Sequence, residues 1–479
     1  MEKLANLEPQ KVFEYFEEIC SIPHGSGNMD AISSYCMDFA AKHSLEAVRD
    51  EANNVVIYKK ATNGYENADT VILQGHLDMV CQKTEDCNID FVKDGLDIYT
   101  DGDFIKARGT TLGADNGIAV AMIMAILASE DIEHPAIEAV FTTDEEIGLI
   151  GAGKLSTESL KGRKMINIDS EDPLVLTVSC AGGSDFEMNI PIKRTEVNGE
   201  QVTLSVRGLK GGHSGVEINS GRVNANLLMA RILNYAKGIC DFDIISIDGG
   251  DKGNAIPLGS TAKLVVHDDK FIIKINEYVN VIKEEISHRE SGFVFDAVSN
   301  GATSVQAIEN SLRDKLIFAL LCAPNGVVEM SSEIEGLVET SLNLGILKTD
   351  QDKVIMHFAL RSNKSSALKF LEDKLMTFSS CVGCSVRTFG HYPPWEYKDD
   401  SPLQRLYISE YEKKFGSKPL VKAIHAGLEC GVFSSGIPGL DCISIGPRMH
   451  DIHTTAERLS ISSTAEIYEV ILNVLKNCR

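Results

Sequence analysis

The chain has 479 residues, 43% hydrophobic and 24% charged, which excludes a disordered or fibrous protein and asks for more than one hydrophobic core. A formal net charge of −23 excludes nucleic acid and anionic membrane as expected partners. Twelve scattered cysteines, with CVGC at 381–384 as the only CxxC, point to free thiols in a reducing compartment, so the cytoplasm is the expected location.

No secretory leader is read at the start of the chain. Pro9 opens a helix whose one face carries Val12, Phe13, Phe16, Ile19 and Cys20. Residues 55–59 and 70–73 read as strands. Residues 118–129 read as a buried helix, its apolar run too short to cross a bilayer. Residues 136–141 and 165–168 read as strands again. This alternation predicts βαβ units and a mostly parallel sheet.

Beyond residue 183 the texture changes. Residues 186–190 and 202–206 alternate as half-exposed antiparallel strands do, and amphipathic helices follow at 222–236 and 271–286. From Trp395 the α/β texture returns, with a helix opening at Ser401 and Pro402 and a buried strand at 441–445. The expectation is a discontinuous α/β domain over 1–184 and 396–479, with an α+β domain inserted over 185–395. Within the insertion, strand–helix–strand patterns at 263–296 and 356–388 suggest a duplication.

Five segments place metal-type side chains at strand ends or helix starts. They are QGHLD at 74–78, GADNG at 113–117, DEEIG at 144–148, NIDSED at 167–172 and HDIHT at 450–454. Taken singly, each has an ordinary reading: a loop histidine, a helix cap at Asp115, an Asx turn at Asp169, a solvated Glu145–Glu146 pair. In open α/β sheets ligands gather beyond the carboxyl ends of the strands. Several acids at that edge repel one another unless cations neutralise them.

That ordered set resembles the M20 metallopeptidases. The phrases LGADNGI at 112–118, GGHSG at 211–215 and HAGLECG at 425–431 are similar to the aminoacyl-histidine dipeptidases of that family, nearly end to end. The resemblance implies a zinc-peptidase-type α/β domain with helices on both faces of its sheet, and an inserted lid. It implies two zinc ions, with cobalt or manganese as substitutes. His76 and His453 would each hold one ion, Asp115 would bridge them, Glu146 would bind one and Asp169 the other. Asp78 would fix the His76 imidazole by a hydrogen bond, and Glu145 would be the general base. From the lid, His213 would donate to the oxyanion, Asn254 would touch substrate, and Arg361 would grip a carboxylate. Glu429 has two readings: a partner for a substrate amino group, or a brace for its loop. An Asp at position 169 favours a dipeptidase. The implied substrates are Xaa-His and related dipeptides, β-alanyl-histidine included, for an enzyme that is a monomer or homodimer. An M20 carboxypeptidase or amidohydrolase on N-acylated amino acids is the alternative, and a non-catalytic metal-binding protein is a second.

Overall fold

The computed structural model describes residues 3–479. The chain forms two compact units. One comprises the chain up to Cys180, Trp395–Ala423 and Leu428–Arg479; the other comprises Ala181–Pro394 and Ile424–Gly427.

The first unit is built on an eight-stranded sheet. Its order is Glu46–Arg49, Val55–Lys59, Ile137–Thr142, Val71–His76, Lys164–Asn167, Asp441–Ser444, Val175–Cys180, Leu420–Ile424. The parallel part is the central four, from Ile137–Thr142 to Asp441–Ser444. Antiparallel pairs flank it: Val55–Lys59 on one side and Val175–Cys180 on the other. The sheet is therefore mixed. An apolar run announces a strand but not its direction, and the Glu46–Arg49/Val55–Lys59 pair is antiparallel because a short Asp50–Asn54 turn joins it.

Val71–His76 and Ile137–Thr142 are buried along their whole length, as central parallel strands are. The helix Ala114–Ala128 is buried from Ala114 to Leu127, apolar all round rather than on one face. It packs against the helix Gln10–Cys20, with Gly117 facing Phe16 and Ile19. Register pairs His76 with Thr142 and Gln74 with Asn167, and Asn167 also pairs with Ser444. The central strands thus end together, and the segments carrying Asp78, Glu145, Glu146 and Asp169 leave from one edge.

The second unit holds a nine-stranded antiparallel sheet. Its order is Val294–Ile308, Arg194–Arg207, Ser260–Val266, Phe242–Gly249, Val338–Thr349, Lys353–Ser362, Gly182–Pro191, Ser385–Tyr392, with Gly326–Met330 paired beside Val338–Thr349. The order repeats. Arg194–Arg207, helix Ala225–Ile239, Phe242–Gly249, Ser260–Val266, helix Phe271–Ile286 and Val294–Ile308 make a βαββαβ half with strands in the spatial order 4-1-3-2. Gly182–Pro191, helix Asn310–Cys322, Val338–Thr349, Lys353–Ser362, helix Ser365–Val382 and Ser385–Tyr392 make a second half in the same order. The first half is inserted after the first strand of the second. One continuous apolar core, including Leu204, Leu228, Ile275, Leu320, Phe358 and Leu371, joins the helices to the sheet.

Candidate metal centre

His76 is the last residue of its strand. Its ring Nδ1 lies 3.0 Å from the carbonyl oxygen of Asp78, which leaves Nε2 free to ligate. Nε2 stands 3.3 Å from Asp115 Oδ1 and 3.6 Å from Asp169 Oδ1. On the other side of Asp115, His453 Nε2 stands 3.1 Å from Asp115 Oδ2 and 3.0 Å from Glu146 Oε1. Each oxygen of one carboxylate therefore faces a different histidine. Each histidine also has a second acid beside it: Asp169 with His76, Glu146 with His453.

These spacings suit cations as well as hydrogen bonds. Bonds of about 2.0–2.2 Å in tetrahedral geometry put neighbouring ligand atoms roughly 3.3–3.6 Å apart. His76, Asp115 and Glu146 also offer ligand atoms that all lie within 4.8 Å of one another. The donor set is imidazole and carboxylate, which suits zinc, cobalt and manganese. His453 has φ of 61°, a left-handed conformation that non-glycine residues keep where surrounding structure enforces it.

Without cations the charges rearrange the protons. Burial depresses the His76 imidazolium, but Asp115, Asp169 and Asp78 outweigh it and hold its pKa well above the ordinary value. Asp115 and Glu146 push His453 up to about 10. Burial raises Asp115, yet the two histidines pull it below the usual carboxylate range. Asp169 rises to about 6, through burial and then the charges on Asp115 and Glu146, against the pull of His76. A cluster that must borrow protons to stay neutral is one that divalent cations can neutralise.

The bond expected from Asp78 is placed differently. Its carboxylate is 3.5 Å from His76 Nδ1, and the ring is held by the Asp78 backbone carbonyl instead. The carboxylate accepts the N–H of Glu145 at 2.9 Å, the N–H of Glu146 at 3.2 Å and the Ser26 hydroxyl at 2.8 Å. Asp78 thus ties the His76 strand end to the Glu145–Glu146 turn. Burial first, then the charges on Asp169, Glu429 and Glu146, raise the Glu145 carboxyl well above its ordinary value, against the pull of His76.

Other residues hold the cluster, and of these only Glu429 was singled out in the sequence. Asn116 is fully buried; its Oδ1 accepts the N–H of His76 at 3.1 Å, and its Nδ2 donates to Ile168 O at 2.7 Å and Asp169 Oδ1 at 3.1 Å. A methyl on Gly75 would stand 2.5 Å from Asn116 Oδ1, so this position needs glycine. Glu429 is fully buried, and its Oε2 accepts from Gln74 and from Thr142 Oγ1. Asn167 completes that network through Gln74 Oε1 at 2.5 Å. The other Glu429 oxygen, Oε1, is buried without a hydrogen-bond partner among the described residues. The only sign for Asn116 in the sequence was its place inside GADNG.

His213, Asn254 and Arg361 belong to the second unit. Gly212–His213 pairs with Ala255–Ile256, and Ser214 N donates to Asn254 O at 2.9 Å, so His213 and Asn254 sit on adjoining segments. His213 Nδ1 accepts N–H bonds from Gly215 at 3.2 Å and Val216 at 3.3 Å. The neutral ring therefore carries its proton on Nε2, as a donor. Burial, then Arg361, lowers its pKa and keeps it neutral. Arg361 is 9% exposed; its Nη1 donates to Tyr392 Oη at 2.9 Å, its Nε is buried without a partner, and among the described residues no carboxylate forms an ion pair with it. A methyl on Gly215 would run into His425 O and stand 2.9 Å from His213 Cε1 and 3.1 Å from Arg361 Nε, so His213 and Arg361 flank one glycine.

A model of peptidase family M20/M25/M40 matches residues 72–477. The chain is 38% identical to the cytosol non-specific dipeptidase of Escherichia coli (strain K12), over 99% of each chain. An aminoacylhistidine dipeptidase from Vibrio alginolyticus superposes with a TM-score of 0.91 at 37% identity, covering 99% of this chain and 98% of that one. An aminopeptidase from Bacillus cereus shares the fold, with a TM-score of 0.57 at 15% identity over 98% of this chain and 99% of that one.

Proposed function

The chain belongs to peptidase family M20/M25/M40, and on that basis we propose a dinuclear, metal-dependent dipeptidase acting on Xaa-His and related dipeptides, β-alanyl-histidine among them. The observation that carries the reading is Asp115, whose two oxygens each face a different histidine. His76, Asp169 and Asp115 Oδ1 would hold one cation; His453, Glu146 and Asp115 Oδ2 would hold the other. Zinc is the proposed ion, with cobalt and manganese as substitutes. Divalent cations there supply Lewis acidity towards a carbonyl oxygen and make water more acidic.

The residues of the chain supply the rest. Glu145 takes a proton from water and delivers it to the leaving amine. Asp78 holds Glu145 in place through its backbone N–H, and Glu429 braces the strand ends through Gln74 and Thr142. The Nε2–H of His213 suits a donor to a tetrahedral oxyanion. Arg361, a buried cation without an acid partner among the described residues, suits a substrate carboxylate, with Asn254 as a further polar contact. A cytoplasmic setting fits twelve free cysteines and the cytosolic relative. Among the described residues no helix is long and apolar enough to cross a membrane.

The test is a dipeptide panel assayed with zinc, cobalt and manganese, with blocked N- and C-termini as controls. The expected result is hydrolysis of free dipeptides, Xaa-His included, abolished by chelation. Preferential cleavage of N-acylated amino acids would replace the dipeptidase reading with an amidohydrolase.

A further inference from the structure

Glu457 lies four residues beyond His453 on the same loop and is 3% exposed. Both of its oxygens bind backbone. Oε2 accepts the N–H of Leu112 at 2.6 Å and of Gly113 at 3.1 Å; Oε1 accepts the N–H of Ala114 at 2.9 Å and of Asp115 at 3.4 Å. Among the described residues no cation pairs with it, and neighbouring Arg458 pairs with Asp451 instead. Four N–H donors around two oxygens favour a carboxylate, against the burial that pushes this carboxyl up to about 7. These amides stand at the entrance to the helix Ala114–Ala128, whose N-cap, Gly113, has no side chain to satisfy them.

The placement makes this more than a helix cap. The carboxylate joins two loops whose ligands face each other, with His453 Nε2 3.1 Å from Asp115 Oδ2. We propose that Glu457 is a positioning residue of the metal centre, locking the 112–115 turn to the His453 loop so that Asp115 is held between His76 and His453. Asn116 pins the other side of Asp115 through its bonds to His76 and Asp169. The proposal rests on the dinuclear reading above.

The fold contains a control with the same chemistry. Glu138 is also 3% exposed and also accepts backbone N–H groups, from Lys161 at 2.9 Å and Gly162 at 2.9 Å. It sits at the amino end of the Ile137–Thr142 strand, away from the ligand-bearing edge. The experiment titrates metal-free wild type, Glu457→Gln and Glu138→Gln with Co(II) against a competing chelator and records the visible spectrum. Glu457→Gln turns an amide NH₂ towards two of the N–H donors. Removing partners that orient metal ligands costs about 10–100-fold in metal affinity. The expected result is two ions in wild type, at least one bound about 10-fold or more weakly in Glu457→Gln with an altered spectrum, and wild-type binding in Glu138→Gln even where its Tm falls. Should Glu457→Gln fail to fold, Glu457→Asp, which keeps the charge but withdraws it by one methylene, is titrated in its place with the same expectation. Wild-type affinities and spectrum in the Glu457 variant overturn the proposal, as does an equal loss of metal in Glu138→Gln. A wild type that binds fewer than two ions overturns the dinuclear reading too; two ions in wild type with an unchanged variant overturns only the role of Glu457.

Discussion

Glu145 and Glu146 are neighbours with different surroundings. Glu146 faces His453 at 3.0 Å, whereas Glu145 is fastened through its backbone, by Asp78 and by the N–H groups of Gly148 and Leu149. A carboxylate so held, with its basicity raised by burial and by surrounding acids, suits proton transfer. Glu145→Gln should keep both metal ions and lose turnover by about 10²-fold or more. Near-normal turnover in a fully metallated variant would remove Glu145 from this role. His453 makes a second prediction, about pH. Its pKa stands near 10 in the metal-free fold, above its ordinary 6.5, so between those values the folded chain holds a proton that the unfolded chain has released. This contribution to stability is complete below pH 6.5 and is lost as pH rises through 10. Tm of the chelator-treated protein should therefore fall across that window, and fall less in His453→Gln. Metal uptake must displace the same proton, so affinity should rise with pH over the window; a pH-independent affinity would contradict the assignment.

At the scale of elements, legibility followed burial. Val71–His76 and Ile137–Thr142 were readable because both faces are buried, so each is an unbroken apolar run ended by polar residues. Val294–Ile308 was readable only at its start, because most of its fifteen residues lie exposed or half-buried and show no period. The strand–helix–strand similarity in the insertion was visible for the same reason: its helices bury one face, Ile275, Val279 and Ile282 in one and Leu368, Leu371 and Leu375 in the other. The full βαββαβ order was not visible, because half of it is inserted into the other half and strand order depends on contacts distant in sequence. Nothing in the composition of 424–427 marks these residues as part of the second unit. Of the proposed metal centre, the residues that gather at the strand ends were legible because His, Asp and Glu there are conspicuous against apolar runs. Asn116, Gln74 and Glu457 were not, because their work is to satisfy backbone and side-chain groups that only the folded chain brings near. His425 belongs with them: it sits between Ser341 Oγ at 2.7 Å and Asn363 Oδ1 at 3.2 Å, and burial lowers its pKa to about 3, so it stays neutral while bracing its surroundings.

At the scale of the whole molecule, a net charge of −23 opposes the approach of any anion. Screening confines that repulsion to about 8 Å at physiological salt, so a local cation can overcome it only at close range. Arg361 is such a cation. The residue is 9% exposed, it has no acid partner among the described residues, and Tyr392, His213 and Gly215 lie beside it without neutralising it. A buried charge left unpaired is costly, and a substrate carboxylate would relieve that cost. The C-terminal carboxylate of a dipeptide lies one residue beyond the scissile bond. An added residue moves it by about 3.5 Å, which breaks a fixed two-point contact, and an amide removes the charge altogether. Hydrogen bonds to charged groups contribute about 1.5–3 kcal/mol, so kcat/KM for the amide should fall roughly 10–100-fold below that of the free dipeptide. The extended tripeptide should fall comparably. In Arg361→Ala the free dipeptide should drop towards the amide, while the amide itself changes little. The measurement is kcat/KM for the three substrates in wild type and variant, at matched metal content. Equal rates for acid and amide in wild type would free Arg361 from this role and leave the preference for dipeptides to be explained by the size of the site alone.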